Sequence, residues 1–394
     1  MKIAITIGHS PIGGVGTSTY ILARGMRAAG HQADILATDG TKGNDYDRAR
    51  RDGWPVEAIG LGKRWLRRRL EITLERLSGY DVVINNHSIE TQLILPALPS
   101  SIVRLSVIRS TDDQVIKDAQ YNSQYLDTLV GISPQVTELL KHSKVPCKVH
   151  TIPNAVLVEN DCLPFLSTPL RIVFVGRLEE RQKNILILPE IAEGLRTKGL
   201  DFRLTVVGDG PHRRELEEKI ALMNLGNVMN LPGAMNRDEA WDVYRNAHFS
   251  LIPSNFEGFG LVLAESMAAG AVPVVSDIPV FGWILGEDAD TLLAPVKDAQ
   301  AYADRLLALA ADPERYRQIQ QRLQGRQQEN FSPVATVGGY LRLIDELRQG
   351  HDPARFPSVP LSKLTFPKHY RRRCSRLWWG AQKIRDRLRK TVVV

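Results

Sequence analysis

Cysteine is scarce in this 394-residue chain: Cys147, Cys162 and Cys374 are all there is. They form no Cys-x-x-Cys pair and no zinc-ligand spacing, so a disulfide framework is excluded and a reducing compartment fits better. Long apolar runs are missing too. None approaches the roughly 20 residues a spanning helix needs. The first apolar stretch, Ile3–Ile7, is too short for a signal-peptide core and leads straight into a glycine loop. The expectation is a cytoplasmic protein without a membrane-spanning helix.

What is present begins with length. A chain this long exceeds what one hydrophobic core usually supports, which predicts two domains. The formal net charge of +7 is unevenly placed. From His351 to the end there are 12 Lys or Arg against two Asp, a net of +10, which leaves the first 350 residues at −3. The basic character belongs to the tail.

Apolar, strand-like runs alternate with helical stretches, the pattern of parallel sheets covered by helices. The first series is Ile3–Ile7, Ala33–Ala37, Asp81–Ile84, Ile102–Val107 and Thr128–Gly131. The second is Leu170–Val175, Leu204–Val207, Val228–Leu231, His248–Ile252 and Val272–Val275. Thr151 to Pro169, rich in proline and poor in periodic apolar positions, reads as the linker. A helix is expected around Val334–Leu347, and a polar, proline-containing passage after Gly350 breaks the compact pattern. Open parallel sheets bind ligands outside the carboxyl ends of their strands, so the informative residues should follow the strands.

Three such loops stand out. Gly8-His9-Ser10-Pro11-Ile12-Gly13-Gly14-Val15-Gly16-Thr17 joins the first strand to an amphipathic helix. Its glycines suit either a close backbone approach to a phosphate at the helix start or a tight strand-to-helix turn. It matches neither the spaced dinucleotide fingerprint nor a P-loop. Gly176-Arg177 with Lys183 sets two cations on one strand end, which suits a diphosphate or simply a solvated surface. Ser254-Asn255-Phe256-Glu257-Gly258-Phe259-Gly260 follows the strand His248–Ile252, and Glu265 lies eight residues beyond Glu257 among Leu261, Val262, Leu263, Ala264 and Met267. A carboxylate in such company is costly unless it receives hydrogen bonds, and a ribose diol could donate them.

Glu257-Gly258-Phe259-Gly260 with Glu265 resembles the Glu-x₇-Glu signature of the GT-B glycosyltransferases, most closely the large retaining family 4. Gly13-Gly14, Val175-Gly176-Arg177 with Lys183, Val207-Gly208-Asp209-Gly210-Pro211 and Ile152-Pro153-Asn154 support the match, which runs from residue 2 to about residue 348. The resemblance implies an α/β chain of two Rossmann-like domains facing each other across a cleft, with a C-terminal crossover helix and a basic tail. The implied boundaries are 1–165, 166–330, 331–350 for the crossover helix, and 351–394 for the tail. It implies transfer of a sugar from a UDP- or GDP-linked donor to an acceptor hydroxyl, with retention, in polysaccharide or glycolipid synthesis. Arg177 and Lys183 would hold the donor diphosphate, Glu265 the ribose, and Glu257 the sugar hydroxyls. Gly13, Gly14, Gly258, Phe259 and Gly260 would line the donor site, and His87 would face the sugar.

No cofactor or metal is expected. No Asp-x-Asp sits directly after a predicted strand, where it could hold a divalent ion, and Asp112-Asp113 reads as a helix-start cap. Neutralising the leaving diphosphate then falls to Arg177, Lys183 and backbone N–H groups. The chain departs from the family at Asp277-Ile278-Pro279-Val280-Phe281-Gly282-Trp283, where relatives carry a Gly-Gly loop followed by Glu, and at Ala155, where they carry glycine. Two basic segments remain: Lys63-Arg64-Trp65-Leu66-Arg67-Arg68-Arg69-Leu70 and the tail from Lys368 to Lys390. In the tail Leu377, Ala381, Ile384 and Leu388 would form a helical stripe bordered by Trp378 and Trp379. Such segments suit the anionic inner face of the cytoplasmic membrane and a lipid-linked saccharide acceptor, or else a solvated basic face. A sugar-nucleotide epimerase and a basic nucleic-acid binder are the alternative functions. No nucleic-acid recognition motif is present, so no nucleic-acid partner is expected.

Overall fold

The computed structural model describes residues 1–8, 14–38, 53–59, 66–157 and 166–366. The chain forms two compact units, Met1–Ile152 joined by Val337 onward, and Pro153–Thr336. Among the described residues the first holds seven strands: β1 (Lys2–Ile7), β2 (Gln32–Ala37), β3 (Val56–Ala58), β4 (Val82–Asn85), β5 (Val103–Ile108), β6 (Thr128–Gly131) and β7 (Lys148–Thr151). The second holds six: β8 (Leu170–Val175), β9 (Phe202–Val207), β10 (Met229–Gly233), β11 (Phe249–Ile252), β12 (Val272–Ser276) and β13 (Leu293–Ala294). Every pairing is parallel.

Strand order is β3-β2-β1-β4-β5-β6-β7 in one sheet and β10-β9-β8-β11-β12-β13 in the other. Each order reverses once, between β1 and β4 and between β8 and β11. Loops leaving the carboxyl ends of those pairs diverge to opposite faces and leave a crevice for a ligand. Interior strands such as Ile3–Ile7 and Leu170–Val175 are buried on both faces and therefore read as near-continuous apolar runs.

The three strands that the sequence did not predict are at or near sheet edges. β7 reads Lys148-Val149-His150-Thr151, none of it buried, and β3 and β13 are three and two residues long. The units divide at Ile152/Pro153, ahead of the expected 165/166, because Val156 N–H donates to the Phe331 carbonyl within the second unit. The helix Pro333–Gln349 carries Val337, Tyr340, Leu343 and Ile344 buried. Val337 crowds Gly25, where an added Cβ would lie 2.4 Å from it. The passage after Gly350 also packs on the first unit. Phe356 is buried there 4.9 Å from the Arg104 guanidinium, His351 Nε2 bonds the Ser100 carbonyl at 2.7 Å, and Val359 N–H donates to Pro96.

Candidate active site

In the second unit the β8 loop is fixed by glycine. Gly208, after β9, has φ +139°, and a Cβ there would sit 1.8 Å from the Gly176 carbonyl oxygen. Only glycine lets the two strand ends approach so closely. Arg177 follows with its side chain 62% exposed and its nearest carboxylate, Glu179, at 3.7 Å. Glu179 turns inward to cap the short helix Glu180–Lys183, accepting from Arg181 N–H at 2.8 Å and Gln182 N–H at 3.0 Å. Burial works to raise the Glu179 carboxyl, but those two N–H groups and the charge of Arg177 prevail and hold it below its usual range.

The cap aims Lys183 at the β11 loop. Its Nζ lies 2.6 Å from Glu257 Oε1, in a pair whose side chains are only 15% and 8% exposed. Ser254 Oγ donates to the same oxygen at 3.0 Å, and Gln182 Nε2 donates to Oε2 at 3.2 Å. Asn255 N–H reaches the Gln182 carbonyl at 2.8 Å, stitching the two loops together. Gly258 follows Glu257. Phe259 is buried edge-on to Trp283 and Phe331, and Gly260 (φ +89°) opens the helix Leu261–Ala269. Trp283 belongs to the helix Pro279–Leu285, so the departing segment supplies an aromatic support for the Glu257 loop.

Glu265 sits half-buried on the helix Leu261–Ala269, and among the described residues no group hydrogen-bonds its carboxylate. Burial pushes its pKa up, while Arg237 and Lys183 pull the other way. The second unit thus brings Arg177, Lys183, Glu257 and Glu265 to its switch point.

The first unit presents a different surface at β1 and β4. His87 is exposed just past β4 with φ +69°, a strained conformation for a bulky residue, and its carbonyl lies 2.7 Å from where a Gly8 Cβ would stand. Beneath it lies a buried polar network. Asn86 Nδ2 donates to Thr19, and Arg109 Nε donates to Asn86 Oδ1 at 2.5 Å. Asn85 Nδ2 donates to Gln92 Oε1 at 2.8 Å, and Ser88 caps the helix Ile89–Ile94. Gly14 starts the helix Gly14–Ala28, whereas Gly13 lies outside the described residues.

The basic cluster is not one face. Arg69 is buried against Glu90 at 3.0 Å, with side chains 4% and 5% exposed, and Glu90 also accepts from Thr38 at 3.1 Å. Leu70 is buried as well. Arg67 and Arg68 are exposed and pair with Glu71. Lys63 to Trp65 and the tail from residue 367 on lie outside the described residues. Asp112 caps the helix Asp113–Gln120, accepting from Gln114 N–H at 2.8 Å. Gln182, Ser254, Arg237, Asn86 and Arg109 were not singled out for site roles from sequence. Gln182 and Asn86 adjoin Lys183 and His87, and Ser254 opens the Glu257 loop, so nearness to a named residue was the available signal.

Known proteins fit this arrangement. Residues 12–160 match the family described as Glycosyltransferase Family 4, and residues 163–326 match Glycosyl transferases group 1. WcaL of Escherichia coli (strain K12), a glycosyltransferase named for colanic acid biosynthesis, is 33% identical over 36% of this chain and 37% of its own length. The GDP-mannose:cellobiosyl-diphosphopolyprenol alpha-mannosyltransferase of Xanthomonas campestris is 26% identical over 46% of this chain and 48% of its own. The chain therefore spans between about a third and a half of these relatives. The crystal structure of Anabaena Alr3699/HepE with UDP and glucose superposes with TM-score 0.72 at 14% identity, covering 88% of this chain and 100% of that one. That likeness shows the fold.

Proposed function

Taking as premise that this chain is a GT-B glycosyltransferase resembling family 4, we propose that it transfers a sugar from a UDP- or GDP-linked donor to a saccharide acceptor. The observation that carries the reading is the second unit's switch point, where an exposed Arg177 and Glu265, a carboxylate that no group among the described residues hydrogen-bonds, accompany Lys183 and Glu257. Arg177 and Lys183 receive the diphosphate and stabilise its charge as the glycosidic bond breaks. Glu265 accepts from the ribose diol, and Glu257 from sugar hydroxyls. Gly258, Phe259 and Gly260 shape the donor loop, while Gly13, Gly14 and His87 serve the first unit's part of the reaction. The transfer proceeds with retention and needs no metal. The relative acting on a diphosphopolyprenol-linked saccharide supports a lipid-linked acceptor, met at the inner face of the cytoplasmic membrane through Arg67, Arg68 and the 368–390 tail. No helix among the described residues is long and apolar enough to cross a membrane.

Calorimetry and thermal shift with UDP, GDP, ADP and their sugar conjugates test the donor, since a ligand of the native state raises Tm with occupancy. One nucleotide series should stabilise the wild type and fail with Glu265→Ala and Arg177→Ala. Nucleotide binding unchanged in both variants would defeat the site assignment. Turnover unaffected by EDTA and an α-linked product from an α-linked donor are expected. Vesicle binding that survives removal of residues 368–394 would count against the membrane role of the tail.

A further inference from the structure

Resting on the reading that this site takes a nucleotide sugar, we infer that Glu257 restrains Lys183 until a sugar engages Glu257, so that sugar recognition recruits the cation to the diphosphate. The Lys183–Glu257 pair is close at 2.6 Å and largely shielded from water, where opposite charges attract more strongly than at the surface. Lys183 in this state is a neutralised charge and a poor partner for a phosphate. Glu257 is also nearly saturated. Its Oε1 accepts from Lys183 and Ser254 and its Oε2 from Gln182, against about four lone-pair positions on a carboxylate. One position stays open on Oε2, so only a sugar that also reaches Oε1, as a hydroxyl pair spanning the carboxylate does, must displace one of the two Oε1 donors, and these are not equally movable.

Ser254 is wholly buried, and its loop is tied through Asn255 to the Gln182 carbonyl. Lys183 sits at the end of a flexible four-carbon stem whose ammonium can turn among three donors. That stem already runs along the neighbouring loop, since a Cβ on Gly176 would lie 3.9 Å from Lys183 Cε. Rotation about the stem carries Nζ from Glu257 towards Gly176-Arg177 without moving the backbone. A donor bearing the right hydroxyls thus releases the second cation where leaving-group charge develops, and a sugar-free nucleoside diphosphate does not. Product release is eased by the same pairing.

Calorimetry on the full chain tests this with UDP and GDP, using whichever the wild type binds. Glu257→Gln removes the restraint and leaves Lys183 in need of a counter-ion. The sugar-free nucleoside diphosphate should then bind about tenfold more tightly, the scale of one charge-assisted hydrogen bond. The gain should vanish in the Glu257→Gln, Lys183→Ala double variant. Ser254→Ala should act in the opposite sense, weakening the nucleoside diphosphate a few-fold, because Glu257 then leans harder on Lys183. Unchanged affinity in Glu257→Gln would mean that the carboxylate only reads sugar, and weaker affinity would mean that it orients Lys183; either overturns the inference. If Glu257→Gln does not fold, as its ligand-free melt would reveal, Ser254→Ala decides, and equal or tighter binding there overturns it. A wild type that binds neither UDP nor GDP removes the donor reading itself, which is a distinguishable failure.

Discussion

Replacing Gly208 by alanine should damage both the second unit's stability and its nucleotide affinity. The new Cβ would stand 1.8 Å from the Gly176 carbonyl oxygen, whereas real Cβ contacts essentially never fall below 3.0 Å. One strand end must then retreat by more than an ångström. The residue also has φ +139°, which L-residues rarely adopt, at a cost of about 1–3 kcal/mol. Forced repacking adds roughly 1–3 kcal/mol more. Together that is about 2–6 kcal/mol, and at about 2–4 °C per kcal/mol for a unit of this size, Tm should fall by roughly 4–24 °C. Arg177 follows Gly176 directly, so the same retreat misplaces its guanidinium, and an error of about 1 Å costs on the order of a hundredfold where geometry matters. Gly199→Ala is the control: it has φ +75° but nothing within 4 Å of the new Cβ. It should lose about 1 kcal/mol through backbone strain alone and keep its nucleotide affinity. Thermal melts and nucleotide calorimetry on both variants decide the matter. A Gly208→Ala protein that melts like Gly199→Ala and binds like the wild type would refute the reasoning.

Three other outcomes are expected. Burial raises the Glu265 pKa, so the ligand-free fold favours the protonated acid and loses stability as pH rises through that raised value. Glu265→Gln should therefore out-melt the wild type increasingly above the usual carboxylate range while losing nucleotide affinity, and parallel Tm–pH curves would contradict this. Arg69→Ala removes the Arg69 charge from the buried Glu90 and should cost about 3–5 kcal/mol, against less than about 1 kcal/mol for Arg68→Ala, as read by urea denaturation. Phe356→Ala empties a fully buried site beside Arg104 and should cost about 3–5 kcal/mol; a melt that matches the wild type would show that the 351–366 passage does not stabilise the first unit.

Interior strands and glycine loops were legible because burial on both faces and close backbone approach each leave a local mark. Leu170–Val175 and its Gly176-Arg177 turn could be read within eight residues. Lys183 and Glu257 were each legible on their own loops, but their pairing was not, since the partners lie 74 positions apart. Arg69 misled for a related reason. Four arginines in a short run suggest a charged face, but Arg69, Thr73 and Leu77 repeat at four-residue spacing on the helix Leu66–Leu77 and are all buried. Periodicity held the answer that composition obscured. Phe356 offered neither signal, because a proline-rich passage that packs by isolated anchors has no period to find.

The two switch points differ in kind, and on the proposed reading the difference follows from where charge moves. The second unit spends its polar residues on charge: Arg177, Lys183, Glu257 and Glu265. Transfer builds negative charge on a leaving diphosphate, and groups fixed in advance around that charge cost no reorganisation when it appears. Beneath His87, the first unit relies mainly on uncharged groups. Thr91 Oγ1 bonds Thr6 at 2.9 Å and Ser106 Oγ bonds Gln92 at 3.1 Å, beside the Asn85 and Asn86 contacts. Apart from the Arg109 guanidinium on Asn86 the network is neutral, and a satisfied network in a low dielectric is stiff and specifies one geometry. On the proposed reading His87, which lies beside that network at φ +69°, orients a neutral hydroxyl-bearing partner, a task in which position counts for more than charge.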